Sequence, residues 1–148
     1  MTRNLLEIAV VATQSVVMQA NDRLDTALAE HHLTHATAQA LWAIDPESEP
    51  PSMKSIAQRL FCNAPNLTFV MNQLADRSLI ERVVDPNDRR SRLVSLTKQG
   101  GYVREAIIDA ALATSPLAQL PPEALEQLIT ILGTALDSAP STQDPSED

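Results

Sequence analysis

The sequence predicts a mainly α-helical protein that carries one small β-hairpin. Three observations support this. Apolar residues recur at three- and four-residue steps through most of the chain, the spacing of one helix face. Glycine is scarce, with 3 in 148 residues, which argues against a turn-rich all-β sandwich. Only residues 80–96 read as short strands around a loop. The length suits one domain with one core, or one subunit of a tightly joined dimer. Aromatic residues make up only 3%, so Ala, Leu, Ile and Val must build the core.

Residues 4–30 read as one helix, with Leu5, Ile8, Ala9, Ala12, Val16, Ala20, Leu24, Ala27 and Leu28 at helical spacing. At 1.5 Å per residue it is roughly 40 Å long, more than a chain of this size easily covers, which suggests a partner chain. His31 and His32 break the pattern. Thr34 is a candidate cap for a short helix through Ala43, with Ala38, Leu41 and Trp42 apolar. Residues 45–51 are a solvated connector. Ser52 caps a third helix, 53–60, with Met53, Ile56, Ala57 and Leu60 on one face. After a short turn at Phe61-Cys62, Asn63 caps a fourth helix, 63–77, and Pro65 is tolerated in its first turn. Leu67, Val70, Met71 and Leu74 set its core face.

Two helices joined by so tight a turn form a helix-turn-helix pattern. Ile80–Val84 reads as a strand, 85–91 as a loop and Arg92–Leu96 as a second strand. A helix-turn-helix followed by a hairpin with an arginine-rich tip is a winged helix-turn-helix. Thr97 caps a helix over 98–114, with Val103, Ala106, Ile107 and Ala110 apolar, and Pro121-Pro122 open a last helix to Asp137. Residues 139–148 read as a disordered tail. Trp42, Met18 and Met71 read as core residues.

The net charge of −8 is segregated. Residues 52–98 hold eight of the eleven basic groups and four acidic ones, +4, while the rest of the chain carries −12. A basic middle between acidic ends is the electrostatic footprint of an anionic partner. The fourth helix points Pro65, Phe69 and Asn72 away from its core face, flanked by Thr68 and Gln73. Together with Asn63 and Ala64 these are the candidate base-reading residues. Asn and Gln pair with adenine, and Phe, Pro and the Thr methyl suit a thymine methyl, so an A·T-leaning readout is expected. Arg89, Arg90 and Arg92 form the candidate wing contact, since an arginine tip suits a narrow minor groove. Ser52, Lys54, Ser55, Arg59, Asn66 and Lys98 are candidate phosphate contacts, which position a protein without reading sequence. Arg77 and Arg82 are expected to pair internally with Asp76 or Glu81.

One cysteine excludes an internal disulfide framework and a multi-cysteine zinc site. Phosphate-cradling Gly loops, nucleophile elbows and zinc-protease motifs are absent, so neither an enzyme nor a cofactor is expected. No apolar run reaches the roughly 18 residues that span a bilayer, and Glu7 interrupts the opening too early for a secretory signal. A cytoplasmic protein without membrane contact is expected.

Several stretches together resemble the multiple antibiotic resistance regulator (MarR) family of bacterial transcription factors. They are Ile56-Ala57-Gln58-Arg59-Leu60, Val70–Leu74, Leu79-Ile80-Glu81-Arg82, Asp85-Pro86-Asn87-Asp88-Arg89-Arg90, and Val94-Ser95-Leu96-Thr97 with Gly100. The resemblance covers about residues 4–137. It implies a homodimer in which helices of 1–33 and 98–138 interlock, and a DNA-binding domain over 34–97 on a pseudo-palindromic operator. It implies a repressor released from double-stranded DNA by a small lipophilic or aromatic effector held between those regions, with His31, His35 and Trp42 as candidate lining. It makes Asp88 a structural residue of the wing, paired with an arginine. Two positions often basic in the family are Ala64 and Phe69 here, which leaves the reading face uncharged. Two other readings remain open: a redox or metal sensor on the same fold, using Cys62 or His31, His32 and His35, and a protein-interaction module that has lost DNA binding. The break after His31 argues against a shared metal at His31 and His35, and no metal site is expected.

Overall fold

The computed structural model describes residues 2–60 and 64–138. The elements are α1 (Thr2–Glu30), α2 (His35–Trp42), α3 (Met53–Arg59), α4 (Ala64–Asp76), β1 (Ile80–Asp85), β2 (Asp88–Leu96), α5 (Lys98–Thr114), a 3-10 turn (Pro116–Gln119) and α6 (Pro122–Asp137). The helix-rich prediction with one hairpin holds. The expected disordered tail, Phe61-Cys62 and the Asn63 cap lie outside the described residues. The chain divides between Ser115 and Pro116 into two compact units.

In the first unit, one apolar cluster joins α1, α2, α3, α4, the hairpin and α5. Its fully buried side chains include Leu41, Ile44, Ile56, Leu67, Met71, Leu74, Val94 and Ile107. The helical periodicity placed Leu41, Ile56, Leu67, Met71, Leu74 and Ile107 correctly, because one face of each helix meets the cluster. Two expected core residues are not in it. Trp42 is 41% exposed and Met18 is 70% exposed, whereas Met71 is fully buried. On α1 only Leu28 is buried, while Leu5, Leu6, Ile8, Val11 and Val17 are exposed. The apolar spacing there has no counterpart surface among the described residues. The second unit, by itself, is a 3-10 turn and one amphipathic helix whose Ile129, Ile131 and Leu136 are exposed.

Local chemistry starts the helices where the sequence indicates. Thr34 and Thr37 form a reciprocal capping box at α2. Ser52 Oγ accepts from Ser55 N at 3.1 Å, and Thr97 Oγ1 accepts from Gly100 N at 2.9 Å. Two left-handed residues stop helices: His32 (φ 53°) after α1 and Ser78 (φ 58°) after α4. In each case the next amide reaches back to the helix: Leu33 N to Leu28 O at 2.9 Å, and Leu79 N to Leu74 O at 3.0 Å. That is why α4 ends at Asp76, one residue before the expected end. In the connector, Asp45 accepts from Glu47 N and Ser48 Oγ. The Glu47 bond first, then the Ser48 bond, hold its carboxyl below the usual carboxylate range. This turn is therefore fully supported above that range and lost as acid protonates Asp45.

The hairpin departs from the expected strand–loop–strand. Instead of a seven-residue loop, β1 and β2 run to a two-residue turn at Pro86-Asn87. The register is regular from Ile80↔Leu96 to Val84↔Arg92, then jumps to Asp85↔Asp88. One step along β1 thus spans four along β2, so Arg89, Arg90 and Ser91 bulge between paired positions. The connector also joins the sheet: Val94 N donates to Pro51 O at 2.9 Å, and Ser52 bridges Leu93. The residue that caps α3 is therefore tied to the wing.

The tightest approach lies where α5 begins. A Cβ on Gly100 would sit 1.8 Å from the Leu79 carbonyl oxygen, so only glycine fits there. Gly101 meets nothing within 4 Å. Gly100→Ala is expected to lower stability by about 3 kcal/mol, the upper range for overpacking against immobile neighbours. Gly101→Ala is expected to raise it by about 0.5–1 kcal/mol through helix propensity. Urea unfolding followed by circular dichroism at fixed protein concentration checks both signs.

Candidate nucleic-acid interface

The outward face of α4 follows from its packing. Leu67, Met71 and Leu74 are buried, so the opposite side faces outward. Pro65, Asn66, Thr68, Phe69, Asn72 and Gln73 are all exposed. Phe69, at 65% exposure, has no cover among the described residues. Asn63 and the side chain of Ala64 lie outside the described set. Asn72 is oriented: Arg82 Nη1 on β1 donates to its Oδ1 at 2.8 Å. A guanidinium only donates, so the amide oxygen must face Arg82 and the Nδ2 group is left to donate elsewhere.

The wing tip is shaped by its two aspartates. Asn87 N donates to Asp85 Oδ1 at 2.9 Å, and Arg90 N donates to Asp88 Oδ1 at 3.0 Å. Each is a side-chain-closed turn two residues long. Asp88 is structural here, but its partner is the Arg90 backbone. Among the described residues no basic side chain forms an ion pair with it, a correction to the expected arginine pairing. Arg89, Arg90 and Arg92 are exposed. Lys54 and Lys98 are exposed too, at the starts of α3 and α5. None of these five makes a side-chain hydrogen bond or ion pair among the described residues. Ser52 and Ser55, both half-buried, sit on the first turn of α3.

Other arginines have a different job, which sequence reasoning missed. Arg59, expected on phosphate, donates Nη1 to Ala43 O at 3.1 Å at the end of α2. Arg77 does not pair with Asp76 or Glu81. Its Nη1 donates to His32 O at 2.8 Å and its Nη2 to His31 O at 2.6 Å, at the end of α1. Arg82 likewise takes Asn72 rather than a carboxylate. Arg104 donates to Trp42 O and Arg23 to Thr114 O. Arg23, Arg59, Arg77 and Arg104 thus each satisfy carbonyls at a helix C-terminus, where the helix dipole also favours a cation. Their partners lie 16 to 91 residues away in sequence, beyond any local pattern.

The histidines are dispersed by the same corner. His35 Nε2 lies 2.8 Å from Asp25 Oδ1 and ties α2 to α1. Among the described residues no group of three metal-ligating side chains is close enough to hold an ion. Cys62 lies outside the described residues. A cleft of about 260 Å³ opens at the α1–α2 corner, lined by His32, Thr34, Thr37, Gln73, Leu74, Asp76 and Arg77. His31, His35 and Trp42, the residues expected to line a pocket, do not line it. Among the described residues no helix is long and apolar enough to cross a membrane.

A helix-turn-helix, a hairpin bulging two arginines and an exposed second helix define a winged helix-turn-helix protein. Residues 33–91 match the sequence profile of the MarR family. The organic hydroperoxide resistance transcriptional regulator of Bacillus subtilis is 29% identical over 92 residues, 62% of this chain and 63% of that protein. The chain thus spans less than two thirds of the length of this relative and of two other curated regulators that it matches. The transcriptional repressor CouR bound to a 23-mer DNA duplex has the same fold, with a TM-score of 0.74 at 22% identity, covering 92% of this chain and 97% of that one. CouR from Rhodococcus jostii RHA1 bound to p-coumaroyl-CoA gives 0.75 at 21% identity, covering 89% and 93%.

Asp88→Ala is expected to speed hydrogen exchange of the Arg90 amide roughly fivefold, the equivalent of one bond of about 1 kcal/mol. The amide of Ile56, in the core, is expected to keep its protection. Exchange followed by NMR checks this.

Proposed function

We propose that this protein is a sequence-specific, DNA-binding transcriptional regulator of the MarR type, acting as a repressor. The observation that carries this reading is the unpaired Arg89–Arg90 bulge on a hairpin whose β1 is bonded to the outward face of α4 through Arg82 and Asn72. A hairpin that pushes two unpartnered guanidiniums outward has little to gain in stability from them. Their charge suits the narrow, strongly negative minor groove of A·T-rich DNA. The width of α4 suits the adjoining major groove. Lys54, Lys98, Ser52 and Ser55 would contact phosphate and fix the register. Arg92 would contact phosphate from β2.

In this reading Asn72 donates through Nδ2 to a base acceptor such as adenine N7 or thymine O4. Its Oδ1 is already engaged by Arg82, which weakens the case for a bidentate adenine contact. Phe69, Pro65 and the Thr68 methyl would lie against thymine methyl groups, which keeps the A·T lean. Gln73 would reach a flanking base.

The protein would act as a homodimer. The exposed apolar residues of α1 and α6 support this, since so much uncovered hydrophobic surface marks an interaction site. We assign residues 1–33 and 98–138 to dimer contacts and 34–97 to DNA. Two-fold symmetry would place two copies of α4 in major grooves one turn apart, roughly 34 Å, on a pseudo-palindromic operator. A small lipophilic or aromatic effector would release the operator by binding the DNA-incompetent arrangement more tightly. The p-coumaroyl-CoA held by CouR supports this class of effector.

The test is selection of bound duplexes from a random pool. An A·T-rich inverted repeat is expected. The double variant Arg89→Ala with Arg90→Ala is expected to lose affinity about tenfold or more, since a charge-assisted contact contributes about 1.5–3 kcal/mol. Lys54→Ala is expected to weaken all duplexes alike and to lower the slope of log affinity against log salt by about 0.9 per phosphate contact. Failure to enrich any duplex in dilute buffer would overturn the reading.

A further inference from the structure

We propose that Arg77 is a positioning residue: its guanidinium sets the angle of α4 against α1, and through it the separation at which two copies present their reading helices. This rests on the DNA-binding, dimeric reading above and adds to it the part that fixes operator spacing.

The end of α1 leaves carbonyls without intrahelical partners. The left-handed His32 turns the chain away and aims the carbonyls of His31 and His32 at α4. Arg77, one residue past the end of α4, takes both with its two terminal nitrogens, at 2.6 and 2.8 Å. A planar fork on two successive carbonyls fixes direction as well as distance, which a single donor does not. The neighbouring residues are held from the opposite side. Ser78 O accepts from Thr97 Oγ1 at 2.6 Å and Leu79 O accepts from Thr97 N at 3.1 Å, at the start of α5. Leu79 is buried, with Gly100 directly against it.

The C-terminus of α4 is therefore clamped between the end of α1 and the beginning of α5. The two clamps differ. The α5 side is buried backbone contact and has no room to give. The α1 side is an exposed side chain, whose bonds break and re-form against water at small net cost. Arg77 is thus the adjustable member, and α1 is the helix whose apolar residues lack cover. The competing role for Arg77, as one more basic group of the 52–98 block, is a phosphate contact. It predicts a different pattern: equal loss on every duplex and a shallower salt dependence.

The experiment uses the full chain and duplexes enriched by the wild type. Half-site separation is varied by one or two base pairs either way, and a duplex with one half-site is included. Arg77→Ala is expected to lose about tenfold on the best spacing, within the usual range of coupling between sites, and to discriminate less among spacings. Its affinity for the single half-site and its salt slope are expected to match the wild type. Arg77→Lys, with one compact donor group, is expected to fall between the two. If Arg77→Ala does not fold, Arg77→Lys and Arg77→Gln carry the same comparison. Unchanged spacing preference, or equal loss on half-site and full-site duplexes, overturns this inference while the DNA-binding reading stands. A wild type that enriches no duplex overturns the DNA-binding reading and this inference with it.

Discussion

The contact between the Leu79 carbonyl and Gly100 is the constraint around which the first unit is arranged. Helix α5 starts so close to the turn after α4 that no side chain fits between them. Thr97 completes the joint by using one hydroxyl twice: it donates to Ser78 O and accepts from Gly100 N. The turn after α4 must then take the left-handed form at Ser78 to bring Leu79 inward. β1 starts at the next residue, so the direction of the wing follows from the same joint. The bridge from β2 to Pro51 and Ser52 carries it on to the start of α3. Helix α4, the hairpin and the first turn of α3 are thus not independent pieces. They share one rigid seam, which suits a surface that must match grooves of fixed width.

A second theme is the division of labour among basic residues. Arginine serves two ends in this chain. Where its long stem reaches a helix C-terminus, the planar head satisfies carbonyls that would otherwise depend on water. Where the backbone bulges, as at Arg89 and Arg90, the side chains bond to no carbonyl or carboxylate among the described residues. The basic block of residues 52–98 is therefore less uniform than its net charge suggests. Arg59, Arg77 and Arg82 work internally, and Lys54, Arg89, Arg90, Arg92 and Lys98 remain as the outward field. The charges without an internal partner, rather than the total, are the ones most readily engaged by an anionic partner.

Much of this was legible from local pattern. Helix positions and the faces of α2, α4 and α5 follow from apolar spacing, and the caps at Thr34, Ser52 and Thr97 follow from residue type, because both are decided within a turn or two. The Asp-Pro-Asn-Asp run located the hairpin tip. What was not legible depended on register or on distant partners. The Arg89–Ser91 bulge arises from a jump in strand pairing, which composition does not encode. The arginine caps depend on which helix end folds beside which. The exposure of Trp42 and Met18 could not be read from residue type, since an apolar side chain looks the same whether its cover comes from its own chain or not. Gly100 was visible as a glycine, but the reason for it needed the Leu79 carbonyl.

The central claim is that one continuous surface, made of the outward side of α4, the Arg89–Arg92 bulge and the first turns of α3 and α5, meets duplex DNA. It is tested most directly by amide chemical-shift mapping of the labelled chain on titration with a duplex in dilute buffer. The account predicts that the largest changes fall at Lys54 and Ser55, along Thr68–Gln73, at Arg89–Arg92 and at Lys98, and that the exposed face of α1 from Leu5 to Met18 stays unperturbed. Changes concentrated on α1 with silence at the bulge would contradict it.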